Sequence, residues 1–448
     1  MNRKIKSLMQ LFAFVLAMPL VSAQPDSSGF SLEEAQQYAI ENSYVLQNSR
    51  HDVTIAQKEV WQAISTGLPQ VSGTANYNMF LSLPVSLIPG EFFGEDPGTY
   101  IPVKFGQDYN SDFGFTVNQQ IFDGTYIVAV GSAQIYLDLA RHANEKSEID
   151  IRDAVAQSYY AVLIGEQNLE VMQENLDNVM QLYNETKAYY ENGFREEMDV
   201  DQMQLMVQNA ENEIIKAERE IKIARTVLKY TMGYEIGSPI LLSEELEDFV
   251  NPLIARHTAP GFDFAGHIDY RLATTNMQVS EKMLRLEKAA FLPRLNSFYS
   301  YTKTAYGNKA NLFQSDVSWF PSSLIGFQIT MPIFSSGNKV VKVQQAKLEL
   351  TKAQNQRRLA ESTLKKDYLT AVAEMETALE KYENDSESLS LSEKILNKSK
   401  IKFQNGLISS TELAQLETQY IQTYGAYVGS TMQLLQAHQK LKKAAGEL

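Results

Sequence analysis

Acidic side chains that follow two Asn-Gly turns are the residues of this chain most able to take part in ionic chemistry. They are Glu196, Glu197, Asp199 and Asp201 after Gly193, and Glu412 and Glu417 after Gly406. The helix dipole stabilises acids in a first helical turn, which accounts for Glu196 and Glu197. It explains Asp199, Asp201 and Glu412 less well, because we place them about two turns into their helices. The acids are therefore candidates for an interaction with cations.

No arrangement of residues is typical of an enzyme. The chain lacks cysteine, which excludes disulfides, thiolate ligands and a lipidated cysteine. No nucleophile elbow, phosphate loop or dinucleotide fingerprint occurs. The five histidines, which lack metal-ligand spacing, are His51, His142, His257, His267 and His438. We predict no catalysis, no cofactor and no metal site, and we expect Met172, Met203 and Met206 to pack in a helical core.

Charge and the first residues indicate an acidic, exported protein. The formal net charge is −14, which argues against nucleic acid as a partner and favours cations as ionic companions. Residues 1–23 have a basic start, an apolar stretch and the ending Val21-Ser22-Ala23, which predict a cleaved signal peptide. No later segment has the apolar run of a membrane helix, so membrane insertion would require β-strands.

The elements that position the acids occur twice. The offset from Phe122 to Phe334 agrees, to within a single position, with the offsets from Gly193 to Gly406 and from Gly233 to Gly446. A repeat of this length indicates duplication of a whole strand-strand-long helix-helix module. We predict a first repeat at 24–233, a connector at 234–266 with a short helix at 243–249, and a second repeat at 267–448.

Helical periodicity fills most of each repeat. A capping box at Ser31 opens a helix that we expect to run to about Gly67. Apolar residues then recur at a spacing of three and four, which is typical of coiled-coil packing. The long helices are predicted at about 125–191, 197–232, 337–404 and 410–445.

Alternating residues predict four strands, at about 70–82, 111–122, 294–304 and 323–334, with a long loop at 83–110. One face of the strands carries an apolar band, consisting of Phe113, Phe115, Val117, Ile325, Phe327 and Ile329. The band fits either contact with lipid or a half-buried strand in a soluble sheet. Four strands are too few to close a membrane barrel. Insertion would require several chains, of which three would supply 12 strands.

The chain resembles the TolC-like outer-membrane efflux channels. The resemblance covers about residues 31–446. It lies in AIENSYVLQNSRHDVTIAQKEVWQA…GLPQ, loosely repeated as HIDYRLATTNMQVSEKMLRLEKAAFLPR, in IFDG and IFSSG after a strand, and in the two NG turns. It implies a mainly α protein with a small β portion: a homotrimer whose 12-strand outer-membrane β-barrel, in contact with lipid, continues as a long periplasmic α-helical barrel. It also implies a periplasmic adaptor and an inner-membrane pump of the RND or ABC type as partners.

The resemblance also suggests roles for individual residues. Asn192, Gly193, Asn405 and Gly406 match the turns that contact the adaptor. Asp199 matches a carboxylate between the helices, and Glu412 matches the first of two acids that line the closed entrance. The second of those acids is Gln415 here. The family's Arg and Tyr correspond to Ile408 and Phe403, so we expect a looser or apolar closure.

Two functions follow from the sequence. The first is a passive outer-membrane exit duct for drugs, metals or polypeptides, gated at the helix ends and driven by its partner pump. The alternative is a secreted coiled-coil scaffold or adhesin without channel activity. They differ in whether the band Phe113–Val117 and Ile325–Ile329 faces lipid.

Overall fold

The computed structural model describes residues 29–255 and 261–448. The expected signal peptide at 1–23 and His257 lie outside the described residues. The described chain forms two compact units. Unit 1 contains residues 29–43, 151–255 and 373–440, and unit 2 contains residues 44–150, 261–372 and 441–448.

The elements follow one another as two strand-strand-helix-helix modules with additions. The helices are α1 Leu32–Asn42, α2 Tyr44–Ser65, α3 Gly124–Glu191, α4 Glu197–Met232, α5 Leu246–Ala255, α6 Ile268–Ala289, α7 Asn338–Gln404 and α8 Ser410–Ala445. The strands are β1 Gln70–Met79, β2 Val85–Pro89, β3 Tyr100–Lys104, β4 Tyr109–Asp123, β5 Arg294–Gly307 and β6 Trp319–Thr330. Within residues 29–255 and 261–448, no helix combines the length and the apolar character needed to cross a membrane.

The expected single helix from Ser31 to about Gly67 is two helices, which corrects the sequence prediction. The capping box of Ser31 and Glu34 is present. The helix stops at Ser43, whose backbone is extended with φ −61° and ψ 127°. The cause is a distant contact: Gly233, which ends α4 with φ 72°, lies so close to Asn42 that a Cβ there would be 2.6 Å from the Asn42 carbonyl oxygen. Local sequence contains no sign of this contact.

Two further expectations need correction. The segment 83–110 is not simply a loop, because β2 and β3 pair in it as an antiparallel hairpin, closed by the Gly90 N–H donating to the Thr99 carbonyl at 2.8 Å. The short connector helix is α5, Leu246–Ala255, and begins later than the predicted 243–249. It starts late because residues 241–243 remain extended to form backbone hydrogen bonds with Phe30.

Unit 2 contains a four-stranded antiparallel sheet in the order β1-β4-β5-β6. The central pairing joins the two repeats, since Phe115 of β4 lies opposite Tyr301 of β5. β1 and β6 form the edges, so each has a neighbour on one side only. The sheet therefore retains two rows of unpaired backbone groups within one chain.

Unit 1 has two apolar cores between its helices. The larger contains Tyr159 of α3, Leu228 of α4 and Leu434 of α8, and the Tyr159 hydroxyl donates to the Phe30 carbonyl at 2.9 Å. The smaller surrounds Met203 and Phe403 beside the Asn-Gly turns. Burial of each side chain of this size contributes about 1.5–3 kcal/mol to folding, so these two cores hold the helices together.

Candidate functional site

Two similar turns end the long helices in unit 1, and with the neighbouring helix ends they form what we call the tip. Gly193 and Gly406 have φ of 80° and 73°, which favours glycine strongly. The next residues donate back across each turn, Phe194 to the Tyr189 carbonyl and Leu407 to the Lys402 carbonyl. This is the Schellman pattern, and it reverses the chain within a few residues.

The asparagines and glycines of the turns are exposed. Asn192 donates through Nδ2 to the Ala188 carbonyl at 2.8 Å, and Asn405 donates to the Ile401 carbonyl at 2.7 Å. No atom lies within 4 Å of a Cβ built on Gly193 or Gly406. All four residues are therefore available to a second protein.

Asp199 and Glu412 lie in the first turn of their helices, which corrects their expected position two turns in. Asp199 is the third residue of α4 and forms a capping box with Glu196. Glu412 is the third residue of α8, and its N–H donates to the Ser409 hydroxyl at 3.2 Å. The helix dipole therefore stabilises both carboxylates. Their position in the helix therefore does not distinguish them from Glu196 and Glu197.

Asp199 takes part in a contact that the sequence analysis missed. The Arg195 Nη1 lies 3.9 Å from the Asp199 Oδ2, and these side chains are only 14% and 17% exposed. The same guanidinium donates to the Phe403 carbonyl and lies 4.3 Å from the centre of the Phe403 ring. Arg195 thus connects the turn of the first repeat to the end of α7 in the second.

We call these three residues, Arg195, Asp199 and Phe403, the arginine clasp. The resemblance matches the family's arginine to Ile408, which is apolar, whereas Arg195 belongs to the other repeat. The only sequence signal was an Arg four residues before an Asp at a helix start. Phe403 is 2% exposed and belongs to the smaller core around Met203, which we call the tip core, so its side chain is a packing group. Ile408 is half-buried against the same core.

Glu412 and Gln415 are exposed and lie three residues apart on α8, so they share one helix face. Glu417 is different: it is 6% exposed, with the Lys400 Nζ 3.8 Å from its Oε2. Burial raises the pKa of Glu417, while Lys400 and Asn175 oppose the rise. The described residues contain no group of His, Asp and Glu arranged to hold a metal ion.

The sheet of unit 2 has one apolar and one polar face. Val117, Tyr299 and Ile325 lie opposite one another across three strands, so the apolar bands of both repeats are on one face. Ile329 is 72% exposed, and Phe113, Phe115, Ile325 and Phe327 are also exposed, while Val117 is half-buried. The opposite face is mainly polar, although Phe298, Phe320 and Leu324 also lie on it; its polar residues include Ser72, Asn76, Thr116, Asn118, Ser300, Asn296 and Gln328.

Comparison with known proteins identifies the family. A model described as "Outer membrane efflux protein" matches residues 35–234 and 268–447, which correspond to the two repeats. The chain belongs to this family. Membership places it in the bacterial outer membrane with an extension into the periplasm, among transport conduits that are not enzymes.

Individual relatives are distant in sequence. The chain is 23% identical over 257 residues to the alkaline protease secretion protein AprF of Pseudomonas aeruginosa. That alignment covers 56% of this chain and 52% of AprF, so the chain spans about half the length of this relative.

Solved structures share the fold. The outer membrane protein VceC of Vibrio cholerae is 16% identical with a TM-score of 0.69, over 93% of this chain and 96% of VceC. The open state of the MtrE outer membrane channel of Neisseria gonorrhoeae is 16% identical with a TM-score of 0.71, over 94% and 89% of the two chains. The likeness confirms the mainly helical fold with a small sheet portion.

Proposed function

We propose that the protein is the outer-membrane channel of a tripartite efflux or type I secretion system, a passive duct for substrates that an inner-membrane pump delivers through a periplasmic adaptor. One observation carries the proposal: the sheet has an apolar and a polar face and two unpaired edges. An open edge in hydrocarbon costs several kcal/mol for each unsatisfied backbone group. Pairing β6 of one chain with β1 of the next removes both edges and encloses the polar face.

The number of chains follows from the size of the barrel. Two chains would give eight strands, which leave an interior filled by side chains. Three chains would give 12 strands and a lumen wide enough for solutes. We therefore propose a homotrimer whose outer surface, including the band around Ile329, contacts lipid. The long helices α3 and α7 would continue the duct into the periplasm as an α-helical barrel.

The tip is the proposed periplasmic entrance. In a trimer, Glu412 would contribute three carboxylates, and Gln415 would follow it on the same face of α8. These carboxylates would attract cations, in keeping with the acidic net charge of −14. The exposed turns at Asn192-Gly193 and Asn405-Gly406 are the proposed adaptor contacts, and the arginine clasp would hold the helix ends closed until the adaptor binds.

Single-channel recording tests this function. Purified protein in a planar bilayer is expected to conduct and to favour cations. Glu412→Gln should weaken both the cation preference and block by a trivalent cation. Glu197→Gln removes another exposed acid, near the other turn, and serves as the matched control. A folded trimer that does not conduct would contradict the proposal.

The membrane face has its own test, which separates a channel from a secreted scaffold. Ile325→Arg, at the middle of β6, would place a charge in hydrocarbon at a cost of about 2–4 kcal/mol per site near the midplane, so assembly in the outer membrane should fail. Gln328→Arg, three residues away on the opposite face, is the control and should assemble. A scaffold with a solvated sheet would tolerate both changes.

A further inference from the structure

A cationic and aromatic surface lies in unit 2 where helices meet the strands of the second repeat. We call it the basic collar, and it consists of Lys288, Phe291, Ile333, Phe334, Lys339 and Lys342. The Lys339 ammonium donates to the Ala290 carbonyl and lies 5.6 Å from the centre of the Phe291 ring. The end of α6 and the start of α7 are therefore in contact, so their charges form one surface.

The collar is strongly positive in an acidic protein. Residues 282–294 contain four basic residues and one acid, and residues 331–342 contain two basic residues and no acid. The matching stretches of the first repeat are 58–70, with one of each, and 119–130, with one acid and no base. The positive charge thus belongs to the second repeat only and is no general property of the fold.

Ion pairs within the chain account for the charges of Arg285, which pairs with Glu281, and of Arg294, which pairs with Asp123, whereas no ion pair among the described residues involves Lys288 or Lys342. In the first repeat, Asp123 accepts from the Thr125 N–H at 2.7 Å at the start of α3 and lies 3.2 Å from the Arg294 Nε. The equivalent position of the second repeat is Ser335, so that repeat has no carboxylate there. Lys339 and Lys342 instead lie at the start of α7, where the helix dipole disfavours positive charge.

The apolar members of the collar are exposed beside the lysines. Phe334 is 86% exposed, and Ile333 and Phe291 are also open to solvent. Exposed aromatic and basic side chains at the end of a membrane strand are typical of the boundary between hydrocarbon and headgroups. A neighbouring chain joined through β1 would bring residues 58–70, whose single acid is Glu59, and so offers no matching negative charge.

We propose, given the membrane insertion proposed above, that the basic collar binds the phosphate headgroups of anionic phospholipids in the periplasmic leaflet of the outer membrane. Lys288 and Lys342 attract the phosphate, since basic residues next to a membrane bind anionic lipid. Phe291 and Phe334 lie among the upper acyl carbons. Zwitterionic lipid offers the aromatic residues the same acyl carbons, but its ammonium group offsets the attraction of its phosphate for the lysines.

The proposal is tested by measuring how much lipid the full-length protein retains in non-ionic detergent. The probes are phosphatidylglycerol and phosphatidylethanolamine, and native mass spectrometry counts the bound lipid molecules. The wild-type protein is expected to retain phosphatidylglycerol in preference, and Lys288→Gln with Lys342→Gln should lower this retention by about tenfold. The control pair, Lys394→Gln with Lys398→Gln, removes two exposed lysines at the other end of α7 and should leave retention unchanged.

Several results would overturn the lipid assignment. They are equal retention of the two lipids, unchanged retention in the collar variant, displacement of lipid by an equal concentration of inorganic phosphate, and dissociation of the variant into single chains. Conductance of the same preparations separates the two proposals. A conducting protein without lipid preference overturns the lipid assignment alone, and a non-conducting protein that keeps the preference overturns the proposed channel alone.

Discussion

The two turns of the tip come from one duplicated module, yet their side chains make different contacts. In the first repeat the charged residues at the turn contact each other and the second repeat. In the second repeat the acid at the same helical position is exposed. The equivalent pairs, which share one offset in the sequence, are Tyr190 and Phe403, Arg195 and Ile408, Asp199 and Glu412, and Gln204 and Glu417.

The comparison shows that the two repeats keep the same backbone turn, while their equivalent side chains make different contacts. Both glycines keep a positive φ and both helices keep an acid at the third position. Asp199 is held by Arg195 inside the chain, whereas Glu412 is free to act on something outside it. One repeat stabilises the tip and the other supplies its exposed charge.

The largest effect is expected for the aromatic pair. Phe403→Ala removes a ring from the tip core and should lower the free energy of unfolding by about 3–5 kcal/mol. Tyr190→Ala, at the equivalent but exposed position, should cost less than about 1 kcal/mol. Urea denaturation followed by circular dichroism measures both. Equal losses would mean that the two repeats pack alike at the tip.

Arg195→Ile installs the residue that the second repeat has at this place. Asp199 then loses its cation and the Phe403 carbonyl loses a donor, at a cost of about 1.5–3 kcal/mol. We expect a lower thermal midpoint and a higher open probability in bilayers. Arg195→Lys keeps the charge without the guanidinium fork, so its thermal midpoint and open probability should lie between those of the wild type and Arg195→Ile. An unchanged midpoint and an unchanged open probability would show that the arginine clasp holds nothing.

The acid pair should separate stability from selectivity. Asp199→Asn weakens the capping box and the ion pair, so about 1 kcal/mol of stability should be lost with little change in cation preference. Glu412→Gln should change stability by less than about 0.5 kcal/mol but reduce cation preference. Thermal unfolding and reversal potentials are measured on both variants. Equal changes in thermal midpoint and in reversal potential for the two variants would contradict the proposal that one repeat stabilises the tip and the other supplies its exposed charge.

The smallest effect concerns pH. Because burial raises the pKa of Glu417 in the folded chain, its protonated form favours folding, and this stability is lost as pH rises from 4.5 through the raised value. Glu417→Gln, which imports the residue of the first repeat, should therefore raise the thermal midpoint at pH 7.5 more than at pH 4.5. Glu412→Gln is the exposed control. A difference independent of pH would contradict this account.

The mainly helical fold with a small sheet was predictable from sequence, because periods of 3.6 and two are local properties of the chain. Glycine after each long helical pattern likewise marks the turns from local rules alone. The break at Ser43 could not be predicted, since it depends on Gly233, which lies at the far end of the first repeat.

The arginine clasp was missed for a similar physical reason. Whether Arg195 meets Phe403 depends on how α7 aligns with the turn after α3, and a helix shifted by one residue would turn the side chain elsewhere. The residue of the second repeat equivalent to Arg195 is the apolar Ile408, so the repeat contains no second arginine that would mark the contact. Duplicated sequence predicts shared backbone better than shared contacts.

The pairing of β4 with β5 sets an order of events during biogenesis. Phe115 belongs to the first repeat and Tyr301 to the second, so the central ladder cannot form until most of the chain has been synthesised. Loop closure over that distance is slow compared with helix formation. Until β5 arrives, the aromatic strand β4 lacks its permanent neighbour and exposes an edge that other chains can pair with. The time between export of the two repeats is therefore the period in which this fold is most open to aggregation.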